Sequence, residues 1–120
     1  VKGDCLHIIG EFDLKTVENF GLMLRHSKKK AGTEILYNVK RGTVSVLGNT
    51  VPLMPIDNKI KLEILLDRTS IEIYANDGQT VISNCFTPEE GLEGVELFSN
   101  GGELEVIKMD IFEMKSIWRD

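Results

Sequence analysis

The stretch Lys61-Leu62-Glu63-Ile64-Leu65-Leu66-Asp67 alternates along its length. Leu62, Ile64 and Leu66 share one face, and Lys61, Glu63 and Asp67 occupy the other. Ile71, Ile73 and Ala75 repeat the pattern against Glu72 and Asn76. Successive side chains of a strand point to opposite faces, so this period of two predicts half-buried antiparallel strands. Asn76-Asp77-Gly78 then separates the second run from Thr80-Val81-Ile82. An Asp-Gly pair between two strand patterns predicts a hairpin with a type I′ turn, whose two central residues need positive φ.

Further strands are readable at Leu6 to Phe12, Thr33 to Val39, Thr43 to Leu47, Val95 to Phe98 and Leu104 to Met114. Breaks fall at Arg41-Gly42, Gly48-Asn49, Pro52 to Pro55, Pro88 to Gly94 and Asn100-Gly101-Gly102. Short strands with turn signals at near-regular spacing predict an all-β sandwich or barrel. One segment reads two ways. Asp13 fits the cap of a helix with Leu14, Val17, Phe20 or Gly21, and Leu24 on one face, ending at Lys28-Lys29-Lys30 and Gly32. As a strand, the segment puts Phe20, Leu22 and Leu24 on one side. Gly21 in mid-segment and the absence of a second helix to pack against favour the strand. In the last strand, Leu104 and Val106 point one way while Ile107, Met109 and Ile111 continue on the other parity. A β-bulge near Val106-Ile107 would restore a single buried face.

The length, 120 residues, suits one domain that buries roughly two-thirds of its unfolded surface. A net charge of −5 gives no general attraction to nucleic acid or an anionic membrane, both of which need clustered positive charge. The cluster Arg25, Lys28, Lys29 and Lys30 has no interleaved aromatics and reads as a solvated loop. No apolar run approaches the ~20 residues of a membrane helix. The start at Val1, followed closely by Leu6-His7-Ile8-Ile9, predicts a piece cut from a longer polypeptide.

Signs of chemistry are few. Cys5, Cys85, His7 and His26 form no close ligand pairs, so neither zinc nor any other metal or cofactor is expected. Two buried thiols are favoured over a Cys5–Cys85 disulfide. No phosphate-binding glycine loop and no Gly-x-Ser-x-Gly elbow occur. Hydrolysis of a glycosidic bond takes two nearby carboxylates, and Asp67 and Glu72 could approach each other across a tight Thr69-Ser70 connection. Arg68 beside them and their solvent-face parity favour an ion pair or simple solvation. Met23, Leu36, Leu65, Tyr74, Ile82 and Phe98 fall on the parity opposite the main apolar set. If contiguous, such a second apolar face marks an interface.

The segment Lys61 to Phe86, KLEILLDRTSIEIYANDGQTVISNCF, closely resembles the C-terminal β-sandwich module of glycoside hydrolase family 32, the invertases, levanases and inulinases. The match rests on Asp67-Arg68-Thr69-Ser70, Ile71-Glu72-Ile73-Tyr74 and Asn76-Asp77-Gly78. Phe20-Gly21-Leu22-Met23-Leu24-Arg25, the strand at Thr33 to Tyr37, the position of Leu53 and the ending Ile111 to Trp118 extend it. Val51 stands where that family usually has Ala. The resemblance implies a two-sheet antiparallel β-sandwich of concanavalin-like or jelly-roll type. Residues 1–120 would be one module, the C-terminal fragment of a larger hydrolase whose N-terminal catalytic β-propeller is absent.

The family's catalytic motifs are also absent. Asn76-Asp77 precedes Gly78 rather than Pro, Arg119-Asp120 ends the chain, and Cys5 and Cys85 follow Asp4 and Asn84 rather than Glu. The resemblance therefore implies a non-catalytic module of a β-fructosidase, stabilising and positioning its own propeller; Asp67, Arg68, Glu72, Asn76, Asp77 and Gly78 would be structural. Tyr74, Leu65, Ile82, Phe98 and Trp118 are the candidates for an interface or a sugar contact. The rival reading is an independent fructan-binding module, with Tyr74 and Trp118 as its aromatic platforms. The resemblance leaves a homodimer open and points to a periplasmic or extracellular parent enzyme, as for relatives with polymeric substrates.

Overall fold

The computed structural model describes residues 5–26, 33–67, 70–85 and 94–114, and these form ten strands and no helix. In chain order they are β1 (Cys5–Asp13), β2 (Asn19–His26), β3 (Thr33–Asn38), β4 (Thr43–Val46), β5 (Asn49–Pro52), β6 (Lys59–Leu66), β7 (Ser70–Ala75), β8 (Thr80–Cys85), β9 (Gly94–Asn100) and β10 (Glu105–Met114). They pair antiparallel into two five-stranded sheets. The first has the order β10-β1-β6-β7-β8, the second β5-β4-β3-β2-β9. The expected all-β two-sheet sandwich is the observed fold.

Period two decides which side chains form the core. Every second residue of β6 (Ile60, Leu62, Ile64 and Leu66) is buried, and Leu6, Ile8 and Phe12 of β1 and Ile71, Ile73 and Ala75 of β7 join them. The second sheet answers with Phe20, Leu22, Leu24, Ile35, Tyr37, Val44 and Val46. Fully burying each such aliphatic side chain is worth about 1.5–3 kcal/mol. Phe12 and Phe20 meet between the layers with ring centroids 4.8 Å apart, and Tyr37 extends the contact at 5.9 Å from Phe20. The tilted arrangements, at 48° and 53°, suit the ring quadrupoles.

The ambiguous segment is a strand from Asn19 onward, preceded by a turn that buries Leu14 and Val17 at the end of the sandwich. Lys28 to Lys30 lie outside the described residues.

Two points differ from expectation, and one expected irregularity is present. The stretch read as a break after Gly48 contains β5, joined to β4 through Leu47 and Gly48, at φ 48° and 82°. Four mostly exposed residues show no apolar period, and Pro52 is tolerated because β5 is an edge strand. The bulge in β10 exists: Glu11 pairs with Lys108 and Phe12 with Val106, leaving Ile107 extra. It brings Val106, Met109 and Ile111 onto one inner face opposite Phe12, Gly10 and Ile8, where Leu104, Met109 and Ile111 pack against the core, while Val106 stays 42% exposed at the rim of this edge strand. Finally, Ile82 is not on the second face. The Asp77-Gly78 turn sets Ile82 opposite Ile73, so it points inward and is 5% exposed.

Candidate functional site

The hairpin between β7 and β8 is built as its residues demand. Ala75 pairs with Thr80, Asp77 and Gly78 adopt φ of 58° and 93°, and the Gln79 amide donates to the Asn76 carbonyl at 3.4 Å. Asn76 does more than begin the turn. It is 9% exposed, and its Oδ1 accepts the Lys61 amide at 2.9 Å. Its Nδ2 donates to the Met54 carbonyl at 3.0 Å and to Gln79 Oε1 at 3.3 Å. Its own amide donates to the Lys61 carbonyl at 2.8 Å. One side chain thus ties the hairpin to β6 and to the loop before it. A polar residue next to a turn carries no sequence signal of such distant partners.

Lys61 Nζ reaches Asp77 Oδ1 at 2.8 Å, and that hydrogen bond, reinforced by the carboxylate's charge, raises the lysine pKa. Both groups line a cleft of about 270 Å³ with Glu11, Ile56, Asp57, Lys59 and Asn76. Asp67 and Glu72 line neither this cleft nor the larger one below. They lie half-buried on β6 and β7's shared connection and outer face, where the Cys5 thiol donates to Asp67 Oδ1 at 3.3 Å. Cys5 is half-buried rather than buried. Arg68, Trp118 and the side chain of Cys85 lie outside the described residues. Among the described residues no three His, Cys, Asp or Glu side chains are grouped to hold a metal ion.

The outer face of the first sheet interleaves apolar side chains with charged and polar ones. The registers set Phe112, His7, Leu65, Glu72 and Ser83 in one row, and Asp110, Ile9, Glu63, Tyr74 and Val81 in the next. Phe112 and Val81 are 49% and 51% exposed, while Ile9, Leu65 and Tyr74 are half-buried. His7 Nε2 and Glu63 Oε2 lie 2.7 Å apart in the middle of this surface, and the His7 ring sits 5.9 Å from Phe112.

The outer face of the second sheet is different in kind. One row holds Phe98, Gly21, Leu36 and Ser45, and the next holds Asn100, Asn19, Asn38 and Thr43. The Phe98 ring lies over Gly21, where an added Cβ would come within 2.9 Å of Cζ. Beside the asparagine row opens a cleft of about 700 Å³ lined by Val17, Glu18, Asn19, Asn38, Val39, Lys40 and Arg41. The second-face residues read from the sequence therefore do not form one patch. Leu65 and Tyr74 lie on one side of the sandwich, Met23, Leu36 and Phe98 on the opposite side, and Ile82 in the core.

Residues 1–113 match the family model described as the C-terminal domain of glycosyl hydrolases family 32. A levanase of Bacillus sp. (strain L7) is 38% identical over 69 residues, which is 58% of this chain and 8% of the levanase. The structure of the exo-inulinase from Aspergillus awamori superposes with a TM-score of 0.87 at 24% identity, covering 98% of this chain and 26% of that one. The Caenorhabditis elegans galectin LEC-6 shares the fold at a TM-score of 0.66 and 14% identity, covering 92% of this chain and 84% of its own. The chain thus spans only a small part of the hydrolases it matches.

Proposed function

We infer the role of this chain from one premise: it belongs to the C-terminal domain family of the family 32 glycosyl hydrolases. Its role is that of a non-catalytic sandwich that stabilises and positions the catalytic domain of a fructan- or sucrose-cleaving enzyme in the same polypeptide. The observation that carries this reading is the family match over nearly the whole chain, to a domain that makes up about a quarter of the inulinase it superposes on. The outer face of the first sheet supports it. Phe112, Val81, Leu65, Ile9 and Tyr74 are apolar groups on that one face, two of them about half exposed, and a cluster of this kind suits an interface whose natural occupant is the remainder of such a hydrolase.

Two measurements test the reading. The chain alone should release no fructose from levan, inulin or sucrose. Deleting it from its parent polypeptide should lower the melting temperature and soluble yield of the catalytic part. Hydrolysis by the isolated chain, or a parent enzyme indifferent to the deletion, would overturn it.

A further inference from the structure

We propose that the outer face of the second sheet is a binding site for a neutral oligosaccharide, with Phe98 as its platform and Asn19, Asn38 and Asn100 as its hydroxyl-binding row. The site is separate from the apolar face assigned to the catalytic domain. Its assignment to fructose-based chains rests on the function inferred above.

The chemistry follows from the register. Asn100, Asn19 and Asn38 come from β9, β2 and β3 and stand side by side on one face. Neighbouring strands are about 4.8 Å apart, so the three amides form a row about 10 Å long. Each amide carries one acceptor and two donors, which suits sugar hydroxyls that both donate and accept. The row is oriented before any ligand arrives. Asn100 Nδ2 donates to Asn19 Oδ1 at 2.8 Å, which turns the Asn19 NH₂ and the Asn100 oxygen toward other partners. Asn38 Oδ1 accepts the Arg41 amide at 3.0 Å, which leaves the Asn38 NH₂ to donate. The row therefore offers an acceptor followed by two sets of donors.

Phe98 precedes Asn100 by two residues on the same face, a separation of about 7 Å along the strand. That distance matches the width of one sugar ring, so a unit whose hydroxyls engage the amides lays its C–H surface toward the aromatic ring. Gly21 makes this geometry available, since any side chain there would displace Phe98 from the sheet. The cleft beside the row, about 700 Å³, is within the range of small-ligand sites. Its charged residues are of both signs, Glu18 against Lys40 and Arg41, so it has no strong field to select a phosphate or another anion. Among the described residues the first sheet's outer face has no such amide row; its polar groups are the mostly charged His7, Glu63, Glu72, Ser83 and Asp110, set among apolar side chains.

The test is a titration of the 120-residue chain with levan-type and inulin-type fructo-oligosaccharides, followed by calorimetry and by amide chemical shifts. The expected result is saturable binding at millimolar ligand, with shifts concentrated at Asn19, Asn38, Phe98 and Asn100. Phe98→Ala should weaken binding by about tenfold or more, equivalent to about 1.4 kcal/mol. Asn100→Ala, at an exposed position where folding is not at stake, should weaken it several-fold with an unchanged melting temperature. Tyr74→Ala, on the opposite sheet, should leave binding intact. Absence of saturable binding, equal binding of maltohexaose, or loss of binding on Tyr74→Ala with retention in Phe98→Ala and Asn100→Ala would each overturn the proposal. None of these results bears on the accessory role, which is read from deletion in the parent enzyme.

Discussion

The backbone amide of Lys61 is held at 2.9 Å by the side-chain oxygen of Asn76, a residue 15 positions away on the far side of a hairpin. The same asparagine holds the Met54 carbonyl through its Nδ2. Because the side chain is buried, truncation leaves both backbone groups without their partners and without ready access to water. Asn76→Ala should therefore destabilise by about 2–4 kcal/mol, above the usual effect of a point substitution. Asn76→Asp, which keeps the acceptor and loses the donors, should fall between wild type and alanine. Urea unfolding midpoints read the order directly, and equal midpoints for all three would contradict it.

Two glycines separate backbone strain from crowding. Gly78 sits at φ 93° with nothing within 4 Å of where a Cβ would stand, so Gly78→Ala tests only the left-handed backbone. The expected cost is about 1 kcal/mol. At Gly21 a Cβ would fall onto the Ile35 carbonyl oxygen and press on Phe98. Overpacking against backbone cannot relax by a rotamer change, so Gly21→Ala should cost about 2–3 kcal/mol or more. Thermal melts of the two variants should differ clearly, with Gly21→Ala the lower.

How much of this was visible in the residues depends on how far apart the partners lie. The alternation in β6 and β7 needs only neighbours, and it identified both strands and the core. The inward direction of Ile82 was also legible, because a two-residue turn at Asp77-Gly78 forces Ile73 to face Ile82; reading β8 by its own short apolar run hid that. β5 offers no period to read. The separation of Tyr74 from Phe98 onto opposite sides follows from which sheet each strand joins, and that is a matter of long-range pairing. The asparagine row is the extreme case: Asn19 and Asn100 are 81 residues apart and meet only through the β2–β9 register.

Tyr37 links stability to alkaline pH. Its hydroxyl donates to the Leu53 carbonyl at 2.7 Å within the core, and burial raises its pKa above the ordinary value of 10.0. The neutral phenol is thus the folded form. The unfolded chain gives up the proton first, so this contribution is complete below about pH 10 and is lost as pH rises through the raised folded value. Lys15 and Lys61, raised by their carboxylate partners, lose their ion pairs as pH climbs through their own raised values. The informative quantity is therefore the difference between wild type and Tyr37→Phe. The variant should be less stable by about 1–2 kcal/mol at neutral pH, since the Leu53 carbonyl loses its donor. Its deficit should shrink above about pH 10, where only the wild type still has a buried phenol to ionise. Melting temperatures across that range that stay parallel would rule the linkage out.

Val81 and Phe112 give the sharpest reading of the apolar face, because each is about half exposed and contributes little to the sandwich's own core. Val81 lies in one row with Tyr74, and Phe112 in the adjacent row with Leu65. Replacing an exposed apolar residue away from caps and turns usually changes stability by less than about 0.5 kcal/mol. Val81→Asp and Phe112→Ser should accordingly leave the isolated chain's melting temperature nearly unchanged. In the parent enzyme the same positions would be covered, and a buried, unpaired carboxylate at residue 81 would be costly. Val81→Asp should then lower the full enzyme's melting temperature and expose the junction to limited proteolysis, with Phe112→Ser acting in the same direction and more weakly. The comparison between isolated chain and full enzyme carries the inference. Substitutions that destabilise both alike would mean these side chains serve the sandwich itself, and substitutions silent in both would leave the first sheet's outer face in solvent and move the docking surface elsewhere.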